Sequence, residues 1–143
     1  MGRSRSSAGG ADHFLRLRLD KKQRGDLLFF AVPFALYAVN ECIKYRVSMP
    51  IAGYLLRCHF NDYLGGVSFA AYVNLVLSAS RFRHKRLRRP LHFILLGIAC
   101  SLCWEVAAPL FLPYSTGDLW DGAAYLAGML TYYFFSERKD FPK

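Results

Sequence analysis

Four apolar runs divide this chain, at about 27–47, 58–80, 91–113 and 118–136. Each is close to the ~20 residues that a helix needs to cross a bilayer. The pattern predicts an all-α, polytopic membrane protein with four transmembrane helices. The first run is the least regular, because Leu27 to Val39 is only 13 strictly apolar residues, about the core of a signal peptide. However, 26 residues precede it, and Val39-Asn40-Glu41 is not a small-residue cleavage site. Continuing through Asn40, Glu41, Cys42, Ile43, Lys44 and Tyr45 gives a full span if Glu41 and Lys44 reach the interface. A retained helix is expected.

The connections mark where each helix stops. Tyr45 to Arg57 contains Pro50 and Gly53, which predict a break in helix continuity. Arg81 to Pro90 follows the second run, and the third must stop by Pro113. The loop Tyr114 to Gly117 is short, so helices three and four are expected to be antiparallel neighbours. Residues 1–26 read as a basic tail whose Ser/Gly/Arg-rich start is expected to be disordered. In that tail Phe14 to Leu19 suits the membrane surface. Residues 137–143 form a second charged tail, and no internal repeat or further domain is visible.

Composition alone is ambiguous. The chain is 54% hydrophobic and 16% aromatic, yet has a net charge of +9. The placement of that charge resolves it. Of the 19 Lys and Arg, all but Lys44, Arg46 and Arg57 fall in the two tails and in the loop Arg81–Pro90. An excess of Lys and Arg marks the cytoplasmic side, so both termini are expected inside. The basic loop, flanked by two helices, reads as this topology signal in contact with anionic headgroups. A nucleic-acid partner is not expected.

Given that orientation, the acidic residues sort into two sets. Asp12, Asp20, Asp26, Glu137 and Asp140 lie in the inner tails. Glu41, Asp62, Glu105, Asp118 and Asp121 all fall in the outer half of the membrane, so four helices each bring a carboxylate to one leaflet. An ionisable group in an apolar span costs roughly 2.5–3.5 kcal/mol on insertion scales, which makes each a candidate site residue. Asp118, Asp121, Tyr125, Gly128 and Tyr132 make one helical stripe. Gly97, Ser101, Glu105 and Ala108 make a small-residue stripe that suits close helix packing. Asn61 and Asp62 precede Gly65-Gly66, and Asn40, Glu41 and Lys44 share a face.

Plainer roles compete with this reading. Asp118, and Asp121 with it, can serve as caps for a helix start. Asp62 can pair with Arg57 or His59. Glu105 lies about two turns inside its helix, which favours a functional role over a structural bond to a neighbour. Converging carboxylates with Asn and Tyr suit a hard cation such as Mg²⁺ or Ca²⁺, the amine or hydroxyl groups of a lipid or cell-wall intermediate, or a proton relay. If a metal is held, Glu105, Asp118 and Asp121 are its expected ligands. Cys42 and Cys58 are placed either to close a disulfide over the first outer loop or to remain free. Cys100-x-x-Cys103 has no second pair to complete a metal site and is expected to pack. The chain has no nucleophile–base set, Gly-rich phosphate loop or HExxH-type motif, so a non-enzymatic role is expected.

Glu105, then Asp118, Asp121, Tyr125 and Gly128, is similar to the C-terminal signature of VanZ-like bacterial membrane proteins. There a Glu in one helix precedes an Asp–x3–Asn–x2–Gly pattern in the next. This chain has Tyr125 where that pattern has Asn, and lacks the family's usual Gln and Arg between the helices. The chain also looks like short bacterial proteins that carry an Asn-Asp pair and an Asp-x-x-Asp-x3-Tyr-x2-Gly ending, some of them labelled magnesium–citrate transporters. The VanZ-like resemblance implies a multi-pass protein of the bacterial plasma membrane with a cell-envelope role connected with teicoplanin tolerance. The converging polar residues suggest that such a protein binds a lipid or cell-wall headgroup, directly or through a divalent cation, at Glu105, Asp121, Asp62, Asn61, Asp118, Tyr125 and Glu41. The alternative is a small cation-coupled transporter that uses the same acids, expected as a homodimer because four short helices enclose little pathway. A metal-assisted membrane hydrolase or transferase is a third reading.

Overall fold

The computed structural model describes residues 19–103 and 119–138, and these are all-α with no strand among them. Helix α1 spans Lys21–Ile43. It starts six residues before the apolar run because Asp20 caps it. The Asp20 carboxylate accepts from the Lys21 N–H at 2.7 Å, and the Gln23 side chain returns a bond to the Asp20 N–H at 2.9 Å. This reciprocal capping box satisfies backbone donors that a helix start otherwise leaves open. Residues 21–26 therefore belong to the bundle and not to a tail.

The connection expected between the first two spans is itself partly helical. Helix α2 covers Pro50–Cys58, with Pro50 in its first turn and Gly53 buried inside it. Proline lacks only an N–H that a first turn leaves unbonded in any case, so it starts this helix and breaks none. Helix α3 follows at Phe60–Ala79, α4 at Pro90–Leu102 and α5 at Leu119–Tyr132, which widens into a π-helical turn over Tyr133–Glu137. A 3₁₀ turn at Arg83–Lys85 lies in the basic loop. The rest of the third expected span, to Pro113, lies outside the described residues.

Helix α3 sits at the centre, packed on α1 on one side and α5 on the other, while α4 packs on α5. Val67, Ala70, Ala71, Phe93, Met129, Tyr132 and Tyr133 make the buried core. Small residues set how closely these helices approach. A side chain at Gly66 would run into the Tyr125 carbonyl, and one at Gly128 into the Tyr63 carbonyl, so α3 and α5 touch backbone to backbone. A Cβ on Gly97 would meet Leu126, and one on Gly122 would lie 2.9 Å from the Ser101 hydroxyl. Gly97 and Ser101, the part of that stripe within the described residues, thus face α5.

By length and composition α1 is the one described helix able to cross a membrane, and Pro90–Leu102 is apolar but shorter. Helix α3, at 20 residues, carries Asn61, Asp62, Ser68 and Asn74 along its length. Ser68 and Asn74 are buried.

Candidate functional site

The close crossing of α3 and α5 leaves a polar cavity of about 260 Å³ at one end of the bundle. Helix α3 supplies Asn61, Asp62 and Gly65, and α5 supplies Asp121, Gly122 and Tyr125. Tyr37 of α1 and Ser101 of α4 complete the wall. The asparagine, the two aspartates and Tyr125 expected from the sequence are thus brought together. Glu41 stands beside them. Its carboxylate accepts from Lys44 at 2.6 Å and from the Asn61 amide, whose own oxygen accepts from Asn40 at 2.8 Å. Glu105 and Asp118 lie outside the described residues.

Three contributors were not among the expected binding residues, although Asn40 and His59 were noted beside them. Asn40 is 2% exposed, and its amide also donates to the Leu56 carbonyl at 2.8 Å, so it ties α1 to both α2 and α3. An amide in the middle of an apolar run is the signal that marks it. His59, weighed in the sequence as a partner for Asp62, has its Nδ1 at 2.9 Å from the Asp121 carboxylate. That contact needs the proton on Nδ1. Tyr37 has no signal beyond its place one turn before Asn40 and Glu41.

Beside this cavity runs an apolar groove of about 360 Å³. Phe30, Phe34 and Tyr37 of α1 form one side, and Leu64, Ser68, Phe69 and Tyr72 of α3 the other. Tyr37, Gly65 and Tyr125 line both spaces.

The opposite end of the bundle is closed by a buried charge network that sequence reasoning assigned to the tails and the basic loop. Asp26 is 0% exposed, Glu137 1% and Arg86 7%. Arg86 donates to both Asp26 oxygens at 2.6 and 2.8 Å, to Glu137 at 2.6 Å and to the Ser78 hydroxyl at 2.6 Å. The Tyr132 hydroxyl donates to Asp26 at 2.6 Å, and Asn74 exchanges hydrogen bonds with the backbone of Leu87. Lys22 reaches Glu137 at 3.4 Å. Burial alone would pull the Arg86 pKa down, but the hydrogen bonds it donates to Asp26 and Glu137 outweigh it and hold the guanidinium above its ordinary value. Two cations and two carboxylates balance, so this end is a structural clasp.

The polar cavity is different in kind. Its carboxylates and amide oxygen accept hydrogen bonds, while Tyr125 and Ser101 bring hydroxyls. It therefore suits ammonium or hydroxyl groups. Among the described residues no three His, Cys, Asp or Glu side chains converge as metal ligands. A metal held by Glu105, Asp118 and Asp121 would rest mainly on residues outside the described ones. The thiols of Cys42, Cys58 and Cys103 are free and exposed, and that of Cys100 is free and half-buried beside the core.

No family model matches this chain, and neither the curated proteins nor the solved structures provide a match.

Proposed function

We propose that the chain is a multi-pass protein of the bacterial plasma membrane, with both termini inside, that binds the headgroup of a lipid or a lipid-linked cell-wall intermediate in its outer polar cavity. The observation that carries this reading is the cavity itself, in which Asp62 and Asp121 stand at the end of an apolar bundle. The membrane setting is supported by the outer surface. Leu28 is 63% exposed, Phe34 60%, Ile51 77% and Trp120 71%, far more apolar surface than water tolerates over one small protein. The sixteen cations in the tails and basic loop support the orientation. The VanZ-like resemblance agrees with an envelope role.

A cation-coupled transporter is the second reading, and one observation favours it. The bundle has the polar cavity at one end and the Arg86 clasp at the other, an arrangement that suits a carrier open to one side. Thermal unfolding of the detergent-purified protein against envelope lipids, Mg²⁺, Ca²⁺ and citrate separates the two. Stabilisation by lipid that Asp121→Asn abolishes supports headgroup binding. Stabilisation by the ions or citrate alone favours transport. No response to any of them contradicts both.

A further inference from the structure

We propose that the inner end of the bundle is a docking surface for anionic phospholipids, and that the cleft between the start of α1 and the end of α5 seats one of them. This rests on the proposed orientation, with both termini inside, and is independent of the outer cavity.

Uncompensated charge is the first argument. The clasp at this end is balanced within itself, because Arg86 and Lys22 meet Asp26 and Glu137. What remains on the surface is one-sided. Lys21, Arg24, Arg81, Lys85, Arg88 and Arg89 are exposed, and so is Arg138. Among the described residues of this end, Asp20 is the one exposed carboxylate, and it is engaged in the cap of α1. A face of this sign is complementary to a leaflet that carries anionic headgroups.

The clasp also fixes where that charge sits. Arg86 is held by Asp26, Glu137 and Ser78. The next residue, Leu87, bonds through both its N–H and its carbonyl to the Asn74 side chain, at 2.8 and 3.0 Å. Lys85, Arg88 and Arg89 flank these two pinned residues. On the other side, Lys22 donates to the Ser136 carbonyl at 2.6 Å and so ties the start of α1 to the turn that ends α5. The cations stand on an assembled surface and not on a loose tail.

Aromatic rings among the cations favour a lipid over a soluble anion. Phe82 and Phe134 are each 48% exposed, and Phe135 64%. Lys85 Nζ lies 5.4 Å above the Phe82 ring, and the Arg138 guanidinium 5.6 Å above Phe134. Such side chains lay their stems on apolar groups while the charge reaches the headgroups. The cleft repeats this pairing in a concave form. Its volume is about 400 Å³, and Lys21 and Lys22 line it together with Phe29 and Phe135. It can take a phosphate against the lysines and an acyl chain against the rings.

Native mass spectrometry of the full chain released from neutral detergent tests this, with dioleoyl phosphatidylglycerol, dioleoyl phosphatidylcholine and tail-free glycerophosphoglycerol. Phosphatidylglycerol should bind more tightly than phosphatidylcholine by about tenfold or more. Lys21→Gln and Arg88→Gln, both on the surface, should each weaken phosphatidylglycerol by about fivefold, the contribution of one cation near an anionic headgroup, and leave phosphatidylcholine unchanged. Asp121→Asn should change neither. Equal binding of the two lipids, or no loss in either cation variant, would overturn the inference. Loss in Asp121→Asn alone would move the lipid to the outer cavity, overturning this inference and leaving the headgroup reading standing. Glycerophosphoglycerol binding as well as the whole lipid would overturn the docking of a lipid, and an oligouridylate binding more tightly than phosphatidylglycerol would assign the face to nucleic acid instead. Labelling of Ser80→Cys from outside intact cells would overturn the inner placement and the orientation beneath it.

Discussion

Arg86 and Asp26, 60 residues apart in sequence, form a two-pronged ion pair at 2.6 and 2.8 Å in which the carboxylate is wholly buried. The pair joins the start of α1 to the basic loop, and Glu137 brings the end of α5 to the same guanidinium. Three distant parts of the chain thus share one charge.

Removing that charge should cost more than removing either acid. Arg86→Ala leaves Asp26 buried without its cation and Glu137 with Lys22 alone, and breaking a buried pair in this way costs ~3–5 kcal/mol. Asp26→Asn should cost less, because Glu137 still neutralises Arg86. Unfolding in graded denaturing detergent would measure both, and an equal or reversed order would contradict the clasp.

The two neighbouring glycines of α3 should respond in opposite ways. Gly66→Ala drives a methyl into the Tyr125 carbonyl and forces α3 and α5 apart. The cost should be at least the ~1–3 kcal/mol of ordinary overpacking. Gly65→Ala meets only the edge of the Tyr125 ring, at 3.4 Å. It should be neutral or gain up to ~1 kcal/mol from helix propensity. Thermal unfolding of the two variants side by side checks the crossing point.

The orientation is open to a thiol experiment. Cys42 and Cys58 are free and exposed, and both belong to the proposed outer side. A membrane-impermeant maleimide should label variants that retain either one in intact cells. It should label Ser80→Cys in a cysteine-free background only after the cells are broken. The reverse pattern would invert the topology.

Much of the cavity was legible because its residues follow helical spacing. Asp121 and Tyr125 share a stripe with Gly128, and that stripe faces α3. Asn61 and Asp62 precede the glycines that let α3 approach α5, so close packing and polar residues announced themselves together. Asp26, Arg86 and Glu137 were not legible as a cluster. Counting charge by segment treats every tail and loop residue as hydrated, and no local spacing reveals a pair 60 residues apart. Pro50 misled for a related reason, because the same residue breaks a helix interior and suits a first turn. The early start of α1 was hidden because its cap, Asp20, lies among cations that read as tail.

The proposed headgroup cavity faces outward and is lined by Asp62 and Asp121. Its most direct test is the reactivity of Ser101→Cys with Cys42, Cys58, Cys100 and Cys103 replaced by serine. Cationic and anionic methanethiosulfonates of equal size would be added to the outside of intact cells. With Asp62 and Asp121 on the same wall, the cationic reagent should react faster by about tenfold or more. Asp121→Asn should reduce that ratio. An anionic reagent that reacts as fast, or no reaction from outside, would rule out a negatively charged cavity on the outer side.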